Sequence, residues 1–207
     1  MTAVMHVILE SGDRLTRAEF HRRYCAHPEI KKAELVEGVV YVGSPVRVLH
    51  AEPHGIVVFW LNGYRMYHPG LRVGDNATVM LDGDNEVQPD ACLWYEETPG
   101  PRETEDHYLE GPPQLVVEIA ASSASYDLHD KMRAYRRNGV PEYVVWRALD
   151  DAIDWFSLRD GEYVRVDPDE HGVIESGTFP GLRLNVPKML AGDLAGVLAE
   201  LEPPPAQ

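Results

Sequence analysis

The sequence has little cysteine, no long apolar run and no basic leader. Cys25 and Cys92 are the only cysteines among its 207 residues. They lie in unrelated contexts and form no metal or redox motif, so we expect two small buried residues in a reducing compartment. The longest apolar runs, such as 56–61, are far shorter than the roughly 20 residues that span a bilayer. The first 13 residues show no secretory pattern. We therefore expect a cytoplasmic protein with no membrane segment.

Basic residues are also scarce. The chain has 34 acidic and 19 basic residues and a net charge of −15, so generic attraction to nucleic acid should be weak. Any such contact would have to come from local basic clusters, which are also typical of ordinary solvated faces. Two clusters qualify, one formed by Lys131, Arg133, Arg136 and Arg137, the other by Arg22, Arg23, Lys31 and Lys32.

The order of elements predicts an α/β fold, a mixed sheet flanked by helices. A hydrophobic content of 44% with 26% charged residues is that of a globular protein. We expect one domain over 1–200, a loose tail at 201–207, and a mobile loop at 96–113. Helices are predicted at 17–26, from Pro53, at 127–138 and from 188. Strands are predicted at 33–36, 39–42, 77–81, 86–95, 114–120, 143–146, 152–157, 162–166 and 182–186.

Glu118 is the only ionisable residue in the apolar run 114–120, a pattern typical of a strand buried on both faces. Strand alternation puts it on the face of Val116 and Ala120, where it cannot reach solvent without exposing them. A lone buried carboxylate costs several kcal/mol unless it is paired, protonated or bound to a metal. Glu118 is therefore either half of a structural ion pair with a buried arginine, or a metal ligand or catalytic acid/base.

Asp90 follows Pro89 at the start of a second apolar run. An aspartate in that position is often a turn residue or a helix cap. If its strand neighbours that of Glu118, the two carboxylates can share Mg²⁺, which prefers hard oxygen ligands. The carbonyl of Ile119 would be a further ligand.

Lys131 lies within the apolar stripe of a predicted helix. Leu128, Met132 and Tyr135 form that stripe, so the lysine must either extend to solvent or point into a polar site. A local ion pair with Asp127 is one interpretation. In a second interpretation the Lys131 ammonium reaches the site of Glu118. The two interpretations are compatible.

Together these segments resemble a known family. The run Gln88–Asp90, the segment LVVEIAASSASYDLHDKMRAYRRNGVPEYVVW, an early AELVEGVVYV and a late FPGLRLNVP are similar to the Uma-two type putative restriction endonuclease family of the PD-(D/E)XK nuclease superfamily. The resemblance covers roughly residues 14–190. Single motifs are weak, and their order and spacing carry the match.

The resemblance implies a restriction-endonuclease-like fold and assigns roles to four residues. Asp90 matches the PD motif, Glu118 the acidic residue that follows it, and Glu34 an early glutamate that completes the acidic cluster. The superfamily lysine would fall at position 120, which is Ala120 here. Lys131 from the next helix would replace it. In the turn after Glu118, relatives often carry Ser-Pro-Ser where this chain has Ala121, Ser122 and Ser123, the last two within a serine-rich turn at 122–125.

The activity that the resemblance implies is hydrolysis of phosphodiester bonds in nucleic acid, DNA first, by a Mg²⁺- or Mn²⁺-dependent endonuclease. Asp90, Glu118 and the Ile119 carbonyl would hold the ion, and Lys131 would act on the attacking water or the developing charge. Two alternatives stay open: a non-cutting binding or regulatory module on the same fold, and a structural Glu118–Lys131 pair. A homodimer is a further option. His50 and His54 show zinc-like spacing, but a helix beginning at Pro53 would separate them.

Overall fold

Two six-stranded sheets and five short-to-medium helices make up the computed structural model, which describes residues 8–97, 100–121 and 126–201. We number the elements along the chain. The helices are α1 (Arg17–Ala26), α2 (Val48–Arg65), α3 (Met132–Arg137), α4 (Val186–Leu190) and α5 (Leu194–Leu198). A π-helical turn, Asp127–Lys131, leads directly into α3.

The strands fall into two large sheets and a hairpin. They are β1 (Ala33–Val36), β2 (Val39–Val42), β3 (Leu71–Asp75), β4 (Val79–Met80), β5 (Glu86–Val87), β6 (Ala91–Tyr95), β7 (Arg102–Glu103), β8 (Leu109–Glu110), β9 (Leu115–Ala120), β10 (Glu142–Arg147), β11 (Ala152–Arg159), β12 (Glu162–Val166), β13 (Val173–Glu175) and β14 (Arg183–Asn185). The central sheet has the order β12-β11-β10-β9-β6-β3, the second sheet β2-β1-β5-β4-β8-β7, and β13 pairs with β14.

The central sheet is mixed, because β9 and β10 are parallel while their neighbours are antiparallel. One face packs on α2 and the C-terminal helices, with Leu115, Val117 and Ile119 in that core. The opposite face packs on α3 and the second sheet, with Val116 and Ala120 in a separate core. This arrangement confirms the predicted α/β class, and it turns Glu118 towards the second core.

Several local predictions are confirmed at the N-terminal end. Thr16 caps α1 by accepting a hydrogen bond from the Glu19 backbone N–H at 3.4 Å. The β1–β2 hairpin has the predicted strands, with Glu37 and Gly38 at positive φ in its turn.

The prediction that Pro53 begins the second helix is wrong. The helix α2 begins at Val48, so Pro53 lies in its second turn. Proline removes one backbone donor there, but the remaining turns pack their apolar face on the central sheet, and tertiary packing outweighs the local cost. As a consequence, His50 and His54 share one helix, with ring centroids 5.7 Å apart.

The predicted strand 86–95 is divided in two. β5 belongs to the second sheet and β6 to the central sheet, so the chain crosses between sheets at Gln88–Asp90. The predicted loop 96–113 contains the short strands β7 and β8, and β3 and β13 were not predicted. Cys92 is buried as expected, whereas Cys25 is exposed. The serine-rich turn at 122–125 and the tail from 202 lie outside the described residues. No helix within the described ranges is long and apolar enough to cross a membrane.

Candidate active site

A cleft of about 720 Å³ opens between the two sheets, beside the point where the chain crosses from one to the other. The structure brings all the predicted site residues to it, since Glu34, Asp90, Glu118, Ile119 and Lys131 line the same cleft. They come from β1, the β5–β6 crossing, β9 and the π-helical turn. Residues almost 100 positions apart in the sequence thus meet in one place.

Strand alternation positions the two glutamates. Glu118 in β9 and Glu34 in β1 both project into the space between the sheets, and both are buried. Glu34 Oε1 accepts a hydrogen bond from the Gln88 backbone N–H at 2.8 Å. Glu118 Oε1 accepts one from the Tyr135 hydroxyl at 2.7 Å. Both carboxylates are therefore held by rigid neighbours.

Lys131 joins these two glutamates. Its Nζ lies 2.8 Å from Glu34 Oε1 and 2.8 Å from Glu118 Oε1, and its side chain is only 3% exposed. Asp127 Oδ1 is 4.0 Å away, one turn earlier on the same segment. The buried partner of Glu118 is thus this lysine and not an arginine, and the local Asp127 pair coexists with it.

The π-helical turn explains how Lys131 reaches the site. A π turn inserts one extra residue into the helix and rotates the following side chains. Here Asp127 and Lys131 are buried, whereas Leu128 and Met132, the predicted core stripe, are only partly buried. Tyr135 stays fully buried and contacts Glu118. The π-helical turn therefore shifts the buried face of this segment away from the predicted stripe, and the shift turns Lys131 inward.

Asp90 is fixed on both carboxylate oxygens. Oδ2 accepts from the Ile119 backbone N–H at 2.7 Å and lies 3.1 Å from His50 Nε2. Oδ1 accepts from Lys32 Nζ at 3.0 Å. The Asp90 backbone carbonyl lies 2.8 Å from His54 Nε2. The Asp90 carboxylate does not point away from Glu118, because it accepts a hydrogen bond from the backbone N–H of Ile119, the residue that follows Glu118.

His50, His54 and Lys32 are the site neighbours that the sequence did not identify as such. The H-x-x-x-H spacing gave a signal for the two histidines, but the expected helix start at Pro53 hid their shared face. Lys32 was assigned only to a basic cluster. No sequence signal distinguished its position beside Asp90 from that of the adjacent Lys31.

Charge in the cleft perturbs the acidic groups in opposite directions. Burial raises the pKa of Glu118 to about 8, with Asp90 and Glu34 adding to the rise and Lys131 opposing it. Burial alone would also raise the pKa of Asp90. Its hydrogen bond to His50 and the nearby ammonium of Lys32 hold it below the usual range instead. Burial disfavours the charged form of Lys131, but Glu118 and Glu34 outweigh it and raise the pKa of that ammonium.

These residues fit a hard divalent cation. Four buried carboxyl groups line the cleft, against Lys131, the exposed Arg47 and the partly exposed Lys32, so acidic groups outnumber the lysine and arginine side chains. They are Glu34, Asp90, Glu118 and Asp127. Within the described ranges, no three His, Cys, Asp or Glu side chains are arranged to hold a metal by themselves. Mg²⁺ needs fewer, since it is commonly bound by one or two carboxylates and keeps several waters.

Most of the two basic clusters are neutralised by neighbours. Arg133 pairs with Asp130 at 2.6 Å, Arg136 with Glu162, and Arg137 with Asp82 at 2.8 Å. Arg22 and Arg23 both pair with Glu19. The clusters are therefore ordinary solvated faces in the main. Lys32 and Lys131 are the members that line the cleft.

Comparison with known proteins agrees with the fold. The central mixed sheet with its flanking helices is that of the restriction-endonuclease-like class. A family model, Uma2, described as "Putative restriction endonuclease", matches residues 17–187. The chain therefore belongs to the Uma2 family, as the sequence resemblance predicted.

A solved structure shares the fold at low sequence identity. It is a crystal structure of a "putative nuclease belonging to DUF820" from Anabaena variabilis ATCC 29413, with a TM-score of 0.62 and 13% identity. The match covers 77% of this chain and 89% of that one. No protein of curated function matches the chain.

Proposed function

We propose that this protein is a metal-dependent endonuclease that hydrolyses phosphodiester bonds in DNA. The single observation that carries the proposal is the convergence of Asp90, Glu118, Glu34 and Lys131 on one cleft between the sheets. Family membership supports the same activity class. The proposed cofactor is Mg²⁺ or Mn²⁺.

Asp90 and Glu118 would hold the ion, with the Ile119 carbonyl as a third oxygen ligand. Asp90 suits this role because its lowered pKa keeps it ionised at neutral pH. Glu118 has a raised pKa, so cation binding would favour its ionised form and release a proton. The bound ion would polarise the scissile phosphate and acidify a bound water.

Lys131 and Glu34 would complete the chemistry. The Lys131 ammonium is held by two carboxylates on one side of the cleft, at a position fixed before substrate arrives. A fixed positive group is suited to stabilise negative charge that develops on a phosphate. Glu34 holds Lys131 in place and is itself held by the Gln88 backbone, so its role is to position the lysine.

The test is cleavage of plasmid DNA by the purified protein with Mg²⁺, Mn²⁺ or EDTA. We expect metal-dependent nicking that Glu118→Gln abolishes. A matched control is Glu86→Gln. Glu86 is an equally buried glutamate in β5 of the second sheet, where it pairs with His21 of α1. Glu86→Gln should cut like the wild type. Full activity of Glu118→Gln would refute the proposed site.

A second candidate is a non-cutting binding or regulatory module on the same fold. The −15 net charge and the alanine at position 120, where the superfamily lysine would fall, favour it. Thermal shift with Mg²⁺ or Mn²⁺ discriminates the two, because a ligand that binds only the folded state raises the melting temperature. Stabilisation that Asp90→Asn removes supports the endonuclease, and no stabilisation supports the module.

A further inference from the structure

The two lysines of the cleft are held very differently. Lys131 is locked between two glutamates with 3% of its side chain exposed. Lys32 contacts Asp90 Oδ1 at 3.0 Å with 31% of its side chain exposed. Its Nζ also donates a long hydrogen bond, 3.4 Å, to Asn76 Oδ1. Lys32 is therefore the less tightly held of the two lysines, because it is partly exposed and pairs with one carboxylate, whereas Lys131 pairs with two.

The contacts of Asp90 determine which oxygen is available to a cation. Oδ2 is engaged by the Ile119 backbone N–H, which belongs to a central strand and cannot move away, and by His50. Oδ1 is engaged by Lys32. A cation that uses Asp90 thus approaches through Oδ1, where it meets an ammonium of like charge on the same atom.

We propose that Lys32 is a placeholder cation, which holds Asp90 Oδ1 until a divalent ion binds and then turns to a backbone phosphate of the nucleic acid. This inference rests on the proposed function. It makes ion binding and phosphate binding cooperative, because the arrival of the ion frees a positive side chain at the edge of the cleft.

The neighbourhood of Lys32 suits a phosphate. Arg47 lines the same cleft, is exposed, and forms no ion pair within the described part of the chain. The arginines of the two basic clusters, by contrast, are already paired with carboxylates. Arg47 is therefore a cleft cation that a phosphodiester can reach without breaking an existing ion pair, and Lys32 would join it once a divalent ion replaces its contact with Asp90.

The first test measures ion binding with no cleavage readout. Mn²⁺ is titrated into the wild type and into Lys32→Met by calorimetry. Removal of the competing ammonium should tighten Mn²⁺ binding roughly tenfold, the size expected for one charge-assisted hydrogen bond. The matched control is Lys31→Met, which removes the same charge one residue away, where Nζ contacts only the Pro28 carbonyl. The control should change Mn²⁺ binding by less than about twofold.

The second test measures nucleic-acid binding. Fluorescence anisotropy follows a fluorescein-labelled DNA duplex with Ca²⁺, and gels confirm that the duplex stays intact. Lys32→Met should weaken binding and lower the slope of log K against log salt by about 0.9, the value for one lost phosphate contact. Lys31→Met should leave the slope unchanged. Melting curves of both variants check that the fold is kept.

Opposite effects of Lys32→Met on the two ligands would support the inference. Weaker or unchanged Mn²⁺ binding would overturn it, and so would unchanged DNA binding or equal effects of the two variants. A wild type that binds no Mn²⁺ overturns it as well. If both binding results are as expected but plasmid DNA is never cut, the proposed nuclease activity fails while the placeholder role stands.

Discussion

Replacing Lys131 by methionine tests whether the cleft is built around a buried charge. The substitution keeps the length and apolar character of the stem and removes only the ammonium. That ammonium lies 2.8 Å from Glu34 and 2.8 Å from Glu118, both buried. The variant leaves two carboxyl groups close together with no positive partner.

The cost depends on pH, and the sign follows from the carboxyl groups. Removal of one partner of a buried ion pair typically costs about 3–5 kcal/mol, a large share of the 5–15 kcal/mol that stabilises an ordinary domain. The pKa of Glu118 is already raised to about 8 by burial and neighbouring carboxylates. Below about pH 8 the folded wild type and the folded variant both keep this proton, so their stabilities fall in parallel as the unfolded state ionises. Without Lys131 the pKa of Glu118 rises further, so above about pH 8 only the wild type releases the proton, and the deficit of the variant grows there.

Urea denaturation at pH 7 and pH 9.5 measures this effect. We expect Lys131→Met to be destabilised by about 3–5 kcal/mol at the higher pH and clearly less at the lower pH. The double variant with Glu118→Gln should recover part of the loss at high pH, since it removes one uncompensated carboxylate. A variant within 1 kcal/mol of wild type at both pH values, or a deficit that grows towards low pH, would refute the buried-charge argument.

Three further predictions concern other parts of the molecule. Glu118→Gln should gain stability relative to the wild type as pH rises from 5 to 8, by up to about 1.4 kcal/mol per pH unit, because the unfolded wild type ionises this carboxyl group while the folded wild type keeps it protonated; urea melts measure it. Burial alone would raise the pKa of Asp82, but bonds from the Asp84 backbone and Arg137 lower it to about 2, so Asp82→Asn should flatten the loss of stability between pH 4 and pH 2 in acid titration. Thr16→Ala should cost about 1 kcal/mol in chemical denaturation through the lost cap of α1.

Each of these predictions has a contrary outcome. A stability difference of Glu118→Gln that is constant with pH would show that this carboxyl group titrates alike in the folded and unfolded states. Acid unfolding of Asp82→Asn parallel to the wild type would show that the Arg137 pair contributes nothing. An unchanged Thr16→Ala, compared with the exposed control Ser44→Ala outside the helix, would show that α1 is held by packing alone.

The sequence was informative wherever a charged residue occurred in an otherwise apolar strand or helix face. Glu118 in an apolar strand and Lys131 in an apolar stripe were each anomalous, and the structure joins them by a direct contact. The hairpin at Glu37–Gly38 followed from turn chemistry alone. Such signals are local, because apolar neighbours in the sequence already indicate that the charged residue is buried. Burial of an unpaired charge is costly, so such a residue needs a partner.

The rest could not be predicted because it depends on long-range packing. Pro53 is a strong local signal for a helix start, yet the packing of α2 on the central sheet extends that helix back to Val48. Lys31 and Lys32 have the same local sequence context, and only the approach of Asp90, 58 positions later, distinguishes them. The π-helical turn that buries Lys131 is likewise a product of its tertiary contacts.

The charge distribution implies an order of binding. Over the molecule the net charge is −15, and the arginines of the basic clusters are paired with carboxylates. In the cleft, four buried carboxylates outnumber the lysines that line it. We expect such a site to favour a divalent cation over a phosphodiester. If the protein acts on nucleic acid, we expect the cation to bind first, because its charge adds to that of Arg47 and makes the cleft more receptive to a phosphate.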